Sequence, residues 1–214
     1  MDRNAVLSRI RELGVVPVVR AQSGDEALAL IEALRLGGID VIELTMTVPG
    51  AVEIIRELSK KKHDFVLGAG TVLDPETARA CMLAGAQFIV SPATDEATIT
   101  CCRTYGVPIM SGALTPTEVV KAWKAGADMV KVFPCGAVGG ASYLKALKAP
   151  LPQIELIPTG GVSLESAGEF IKAGASAVGA GADLVDVKKL RAGEPQAITE
   201  RARRYLAEVA KARA

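Results

Sequence analysis

Two residues of this 214-residue chain have types and positions that could do covalent chemistry, Lys131 and Glu43. Lys131 lies in Ala127-Asp128-Met129-Val130-Lys131-Val132-Phe133-Pro134, which reads as a buried parallel strand, apolar on both faces. A lone ammonium there is costly. Apolar surroundings favour the uncharged amine, the form that adds to a carbonyl. The other eleven lysines fall in segments that read as helices or loops, where solvent keeps them protonated. The bland alternative is a structural lysine that reaches out to solvent or pairs with an acid.

An internal repeat supplies the acid. Gly38-Ile39-Asp40-Val41-Ile42-Glu43, Gly85-Ala86-Gln87-Phe88-Ile89-Val90, Gly126-Ala127-Asp128-Met129-Val130-Lys131 and Gly174-Ala175-Ser176-Ala177-Val178-Gly179 are versions of one phrase. Each reads as a helix-ending glycine followed by a short apolar strand. The glycines are 47, 41 and 48 residues apart, room for two strand–helix units each time. Phe65–Leu67, Val107–Met110 and Ile154–Ile157 lie between them, and Val15–Val19 brings the count to eight strands. Helical patterns separate the strands, as at Asp25–Leu36, Pro75–Ala84 and Pro116–Ala125. Asp74-Pro75-Glu76 and Thr115-Pro116-Thr117-Glu118 carry N-cap chemistry with proline at the first helical position. Strict alternation with eight strands predicts one domain, residues 1–214, built as a (β/α)8 TIM barrel with N- and C-terminal helices. An open doubly wound sheet shares the alternation but has fewer strands and no reason for a fourfold repeat.

Within that frame Glu43 and Lys131 each stand five residues after their glycine, on strands two and six, which face each other across a barrel. Alternate strands contribute side chains to one layer, here Glu43, Val90, Lys131 and Gly179. The two long side chains converge, and the smaller two leave space for a small substrate. A buried Lys–Glu pair kept only for stability is the competing reading, and such pairs stabilise poorly.

The other strand ends fit an anion. Arg20 closes strand one and offers two parallel hydrogen bonds to a carboxylate. Thr71 follows Gly68-Ala69-Gly70 with a hydroxyl. Pro158-Thr159-Gly160-Gly161 precedes a helix opened by Ser163, leaving backbone N–H groups for a phosphate at the position usual in such barrels. Strand eight ends in a second glycine turn, Gly179-Ala180-Gly181-Ala182.

Composition narrows the classes. Half the residues are hydrophobic, and a net charge of +1 gives no basic surface for nucleic acid. No run reaches membrane-spanning length, and the start lacks the apolar core of a signal peptide. Cys81, Cys101, Cys102 and Cys135 lack metal-ligand spacing and read as reduced thiols of a cytoplasmic protein. The single His63, after Lys60-Lys61-Lys62, reads as a surface-loop residue.

Between Val15 and Val185 the chain resembles the class I aldolases that cleave 2-keto-3-deoxy-6-phosphogluconate (KDPG) and their 4-hydroxy-2-oxoglutarate-cleaving relatives. The resemblance rests on Ile42-Glu43-Leu44-Thr45, Gly68-Ala69-Gly70-Thr71-Val72, Val90-Ser91-Pro92, Lys131-Val132-Phe133-Pro134 and Pro158-Thr159-Gly160-Gly161, in that order. It implies that Lys131 forms a Schiff base and Glu43 is the general acid/base. It implies that Arg20, Thr71, Pro92, Phe133 and Thr159 shape the pyruvate end, with Gly160 and Gly161 receiving the phosphate. It also implies a homotrimer acting on a small 2-keto acid, with no metal or cofactor.

Two departures bear on specificity. Many family members carry an arginine where this chain has Thr47, so the carboxylate role passes to Arg20, as in members with an arginine at the end of strand one. Some place a serine in the strand-eight turn, where this chain has Ala182. A sugar-phosphate isomerase or epimerase, or a binding protein on a retired aldolase barrel, remain alternatives, because fold does not set function.

Overall fold

The computed structural model describes residues 2–61 and 64–214, and the expectation for His63 lies outside them. Eight parallel strands alternate with helices: β1 (Val15–Val19), β2 (Val41–Thr45), β3 (Val66–Gly70), β4 (Phe88–Val90), β5 (Ile109–Ala113), β6 (Met129–Val132), β7 (Leu156–Pro158) and β8 (Val178–Ala180). β1 pairs with both β2 and β8, and a Thr159–Gly179 bridge closes the circle between β7 and β8. The outer helices are α1 (Arg3–Leu13), α2 (Gly24–Leu36), α3 (Ala51–Lys60), α4 (Pro75–Ala84), α5 (Glu96–Thr104), α6 (Pro116–Ala125), α7 (Gly140–Lys148), α8 (Leu164–Lys172), α9 (Val187–Arg191) and α10 (Pro195–Arg213). The fold is the expected (β/α)8 barrel with a helix at each end of the chain.

Local chemistry explains where the helices begin and stop. Asp74 caps α4 through the Thr77 N–H, and Thr115 with Glu118 forms the capping box of α6, each followed by proline. Gly38, Gly85, Gly126 and Gly174, the repeated glycines, all take a positive φ as the chain leaves a helix for a strand. Helix α1 covers the N-terminal end of the barrel. Arg9 pairs with Asp40 just before β2, Arg11 holds Glu155 bidentately just before β7, and Arg3 reaches Asp128 before β6. That end is plugged, so chemistry is left to the other.

Three strands depart from expectation at their ends. β3 and β5 run on through Gly68-Ala69-Gly70 and Ser111-Gly112-Ala113, and β7 starts two residues later than expected. These small residues have little intrinsic strand preference. Packing decides instead, because paired residues of neighbouring strands share a face and the interior needs room. A Cβ at Gly68 would overlap the Phe88 ring, and one at Gly112 would overlap the backbone of Pro92. The C-terminal stretch Pro195 to Ala214, rich in Arg, Ala and Glu, reads in the sequence as a solvated terminal helix, but α10 buries Ile198, Ala202, Tyr205 and Val209 against α8 and α2.

Candidate active site

Lys131 and Glu43 meet inside the barrel. Lys131 Nζ lies 3.8 Å from Glu43 Oε1, and both side chains are 3% exposed. Register explains the meeting: Glu43 pairs with Val18 and Gly68, and Lys131 with Gly112 and Ile157. The separation exceeds a hydrogen bond, and Glu43 Oε1 is buried with no hydrogen-bond partner. An ion pair that stabilises a core needs close geometry and satisfied lone pairs. This pair has neither, which is the arrangement of groups waiting for a third participant. Lys131 Nζ also lies 5.3 Å from the centre of the Phe133 ring.

Glycine makes the carboxylate's place. A Cβ at Gly70 would overlap Glu43 Oε1, so the last residue of β3 must lack a side chain for Glu43 to lie as it does. The sequence showed this only as a Gly-Ala-Gly strand end. Next in the chain, Thr71 is the one described non-glycine residue with a positive φ, 59°. Such a conformation costs on the order of 1–3 kcal/mol and concentrates at functional sites. On the other flank, Pro92 packs its backbone where Gly112 leaves space, beside the strand that pairs with Lys131.

Of the room expected beside Val90 and Gly179, the Gly179 part is taken. Gly179 clears a volume, but Thr159 fills it: a Cβ on Gly179 would overlap Thr159 Oγ1. An open cavity of about 360 Å³ lies at the C-terminal rim, lined by Val18, Arg20, Phe133, Thr159, Gly160, Gly161, Val162, Gly181, Ala182 and Asp183. It gathers six of the expected substrate residues, and Phe133 joins it to Lys131. Thr71 and Pro92 stand outside it, on the Glu43 and Lys131 flanks.

Arg20 is exposed and makes no ion pair among the described residues, so its guanidinium is free for a ligand. Behind it, the Thr45 hydroxyl donates to the Val19 carbonyl at 3.0 Å and shares a 2.6 Å hydrogen bond with Thr47. Thr47, where many family members carry arginine, is thus engaged in holding the β1–β2 junction. Gly160 and Gly161 take φ of 80° and 79°. The N–H groups of Gly161 and Val162 meet no acceptor among the described residues, whereas the Gly160 N–H faces the Gly179 carbonyl in the bridge that closes the barrel. The first N–H groups of the following helix are occupied, Ser163 by Ser166 Oγ and Leu164 by Asp183. The bare donors are therefore those of the loop rather than the helix.

Asp183 has no counterpart in the sequence reading. It lines the cavity while its carboxylate receives the Leu164 N–H at 3.0 Å, Arg201 Nε at 3.1 Å and the Tyr205 hydroxyl at 2.6 Å. Burial by itself would raise its pKa, but the hydrogen bonds from Arg201, Tyr205 and the Leu164 N–H outweigh that and hold it below the ordinary carboxylate value. An acid two residues past Gly181, at a strand-eight terminus, was the only available signal.

The remaining expectations divide. Of the other described lysines only Lys148 leaves solvent; it bonds the Ile154 carbonyl, and burial pulls its pKa down. Cys135 is buried, and burial pushes its thiol up to about 11, so it is no nucleophile at neutral pH. The four cysteines are free, and no cluster of potential metal ligands occurs among the described residues.

A barrel whose open end presents a buried amine beside an unpartnered carboxyl, next to a cavity with donors for an anion, belongs with the lyases that work through a Schiff base. The chain is a member of the KDPG and KHG aldolase family, which matches residues 6–201. It is 35% identical over 193 residues to 2-dehydro-3-deoxy-phosphogluconate aldolase of Treponema pallidum, covering 90% of each chain. It is 37% identical over 175 residues to 2-dehydro-3-deoxy-6-phosphogalactonate aldolase of Escherichia coli, covering 81% of this chain and 85% of the other. Among solved structures, KDPG aldolase of Legionella pneumophila with pyruvate captured as a covalent carbinolamine superposes with a TM-score of 0.85 at 29% identity. That match covers 95% of this chain and 97% of the other.

Proposed function

We propose that this chain cleaves 2-keto-3-deoxy-6-phosphogluconate reversibly to pyruvate and glyceraldehyde 3-phosphate, and also 4-hydroxy-2-oxoglutarate to pyruvate and glyoxylate. The observation that carries the reading is the buried Lys131–Glu43 pair opening, past Phe133, onto a cavity that combines a free Arg20 with two unused backbone N–H groups. Neutral Lys131 adds to the C2 ketone, and loss of water leaves a protonated imine. Glu43 takes the proton of the C4 hydroxyl as the C3–C4 bond breaks. The bonding electrons pass into the imine, and the aldehyde leaves an enamine behind. Protonation at C3 from the same carboxyl and hydrolysis then release pyruvate and the free lysine. Arg20 holds the carboxylate, while Thr71, Pro92, Phe133 and Thr159 shape the pyruvate end. Gly160, Gly161 and Gly181 surround the phosphate.

The test is kcat/KM on phosphorylated and unphosphorylated substrates. Arg20→Ala is expected to weaken both by about 10- to 150-fold, the scale of a lost hydrogen bond to a charged group. Bulk at Gly161 is a poor probe, because a Cβ there would press on Gly136 and its φ disfavours any side chain. Ala182→Ser, which adds a donor to the cavity wall, is expected to enlarge the phosphate preference. A wild-type enzyme indifferent to phosphate would remove the phosphorylated substrate from the assignment. The 37%-identical galactonate relative makes the C4 epimer a second reading, and the same assay run on both epimers decides it.

A homotrimer in the cytoplasm completes the proposal. Four of the seven exposed large apolar side chains among the described residues, Leu73, Leu83, Tyr105 and Trp123, lie on or beside the adjacent helices α4, α5 and α6, where a subunit contact would cover them. Sedimentation velocity is expected to give three times the 22.3 kDa chain mass, and a monomer would contradict it. Four free thiols, three of them buried, suit a reducing compartment, and no described helix is long and apolar enough to cross a membrane.

A further inference from the structure

We propose that Arg201, on the C-terminal helix, is a positioning residue that makes the distal end of the active-site cavity able to accept a phosphate, by neutralising and holding Asp183. The inference rests on the phosphate reading of that cavity given above.

The cavity contains a charge of the wrong sign. Asp183 lines it together with Gly161 and Val162, whose unused N–H groups form the anion cradle. Like charges a few ångströms apart in a partly desolvated site oppose each other strongly. A bare carboxylate there would repel the dianion that the cradle otherwise attracts. Asp183 is not bare. Arg201 contacts both its carboxylate oxygens, and the Tyr205 hydroxyl bonds Oδ2 at 2.6 Å. The pair is only about a quarter to a third exposed, so water screens it incompletely.

The same carboxylate sets the cradle's shape. The turn after β8 closes on the Gly181 carbonyl, which accepts from both the Leu184 and Val185 N–H. Asp183, inside that turn, reaches across to the Leu164 N–H at the start of α8. One side chain therefore ties the β8 turn to the helix that follows Gly160 and Gly161. Arg201 and Tyr205 fix that tie from behind without touching the cavity themselves. They are supplied by α10, which packs on α8. The C-terminal helix thereby reaches the end of the substrate farthest from Lys131.

The experiment measures kcat/KM for 2-keto-3-deoxy-6-phosphogluconate divided by kcat/KM for 4-hydroxy-2-oxoglutarate, in protein whose competent sites are counted by pyruvate–borohydride labelling. Arg201→Met is expected to lower that ratio about tenfold, since a displacement near 1 Å costs up to about 10²-fold. Adding Asp183→Asn to Arg201→Met removes the unpaired charge and is expected to recover most of the loss. A merely structural Arg201 would lower thermal stability and scale both substrates alike. Where Arg201→Met does not fold, Tyr205→Phe, which deletes one hydroxyl, is expected to lower the ratio about threefold, a typical single hydrogen bond. An unchanged or increased ratio in the single variants overturns the inference, as does a double variant no better than Arg201→Met. A wild-type ratio near one would instead overturn the phosphate reading on which the inference stands.

Discussion

After incubation with pyruvate and borohydride the protein gains one covalent label per chain, and the label is on Lys131. The expectation follows from burial and from the neighbour. Lys131 is the only described lysine in a strand, 3% exposed, beside a carboxyl that does not hydrogen-bond it. Borohydride reduces the imine to a stable secondary amine, so intact mass and peptide mapping report the adduct directly. Lys131→Ala removes the nucleophile and the electron sink together, and is expected to lose the label and nearly all cleavage of either substrate. Lys148, the one other described lysine drawn out of solvent, is bonded to the Ile154 carbonyl and is expected to stay unlabelled. A label on any lysine but Lys131 would remove the mechanism proposed here.

Glu43→Gln is expected to leave imine formation with pyruvate detectable and to slow exchange of the pyruvate methyl protons by about 10²-fold or more, the scale of a lost acid–base group. The amide keeps the side chain's size, so the change isolates proton transfer from packing. Gly70→Ala offers a second route to the same loss. The new methyl group would occupy the position of Glu43 Oε1, and the carboxyl would have to move. Exchange is then expected to fall although Glu43 is chemically intact. Both effects are read by proton NMR in deuterated buffer. Exchange at the wild-type rate in Glu43→Gln would assign the proton to another group.

Much of this molecule was written in local chemistry. The fourfold glycine–strand phrase set eight strands and placed Glu43 and Lys131 on opposite strands at one level. Capping residues at Asp74 and Thr115 set helix starts to the residue. Such features depend on a few neighbouring residues, so spacing alone reveals them. Arg20, Gly160 and Gly161 were legible for the same reason, as the residues that end strands one and seven.

What the tertiary structure decided depends on residues far apart in the chain. Gly70, Gly112 and Gly179 look alike in sequence, yet each is empty for a different neighbour: the Glu43 carboxylate, the Pro92 backbone and the Thr159 side chain. No local signal says which space is filled, and for that reason spacing alone did not disclose that the open cavity beside Phe133 lies at the rim while the space at Gly179 is filled. Asp183, Arg201 and Tyr205 escaped notice likewise. They sit on the last turn of the barrel and on a helix that reads as solvated, and only the packing of α10 on α8 brings the carboxylate, guanidinium and hydroxyl together beside the cavity. Spacing along the chain could place Lys131 and Glu43, because the barrel repeat does so. The shape and charge of the space around them come from contacts between segments, which the chain discloses only on folding.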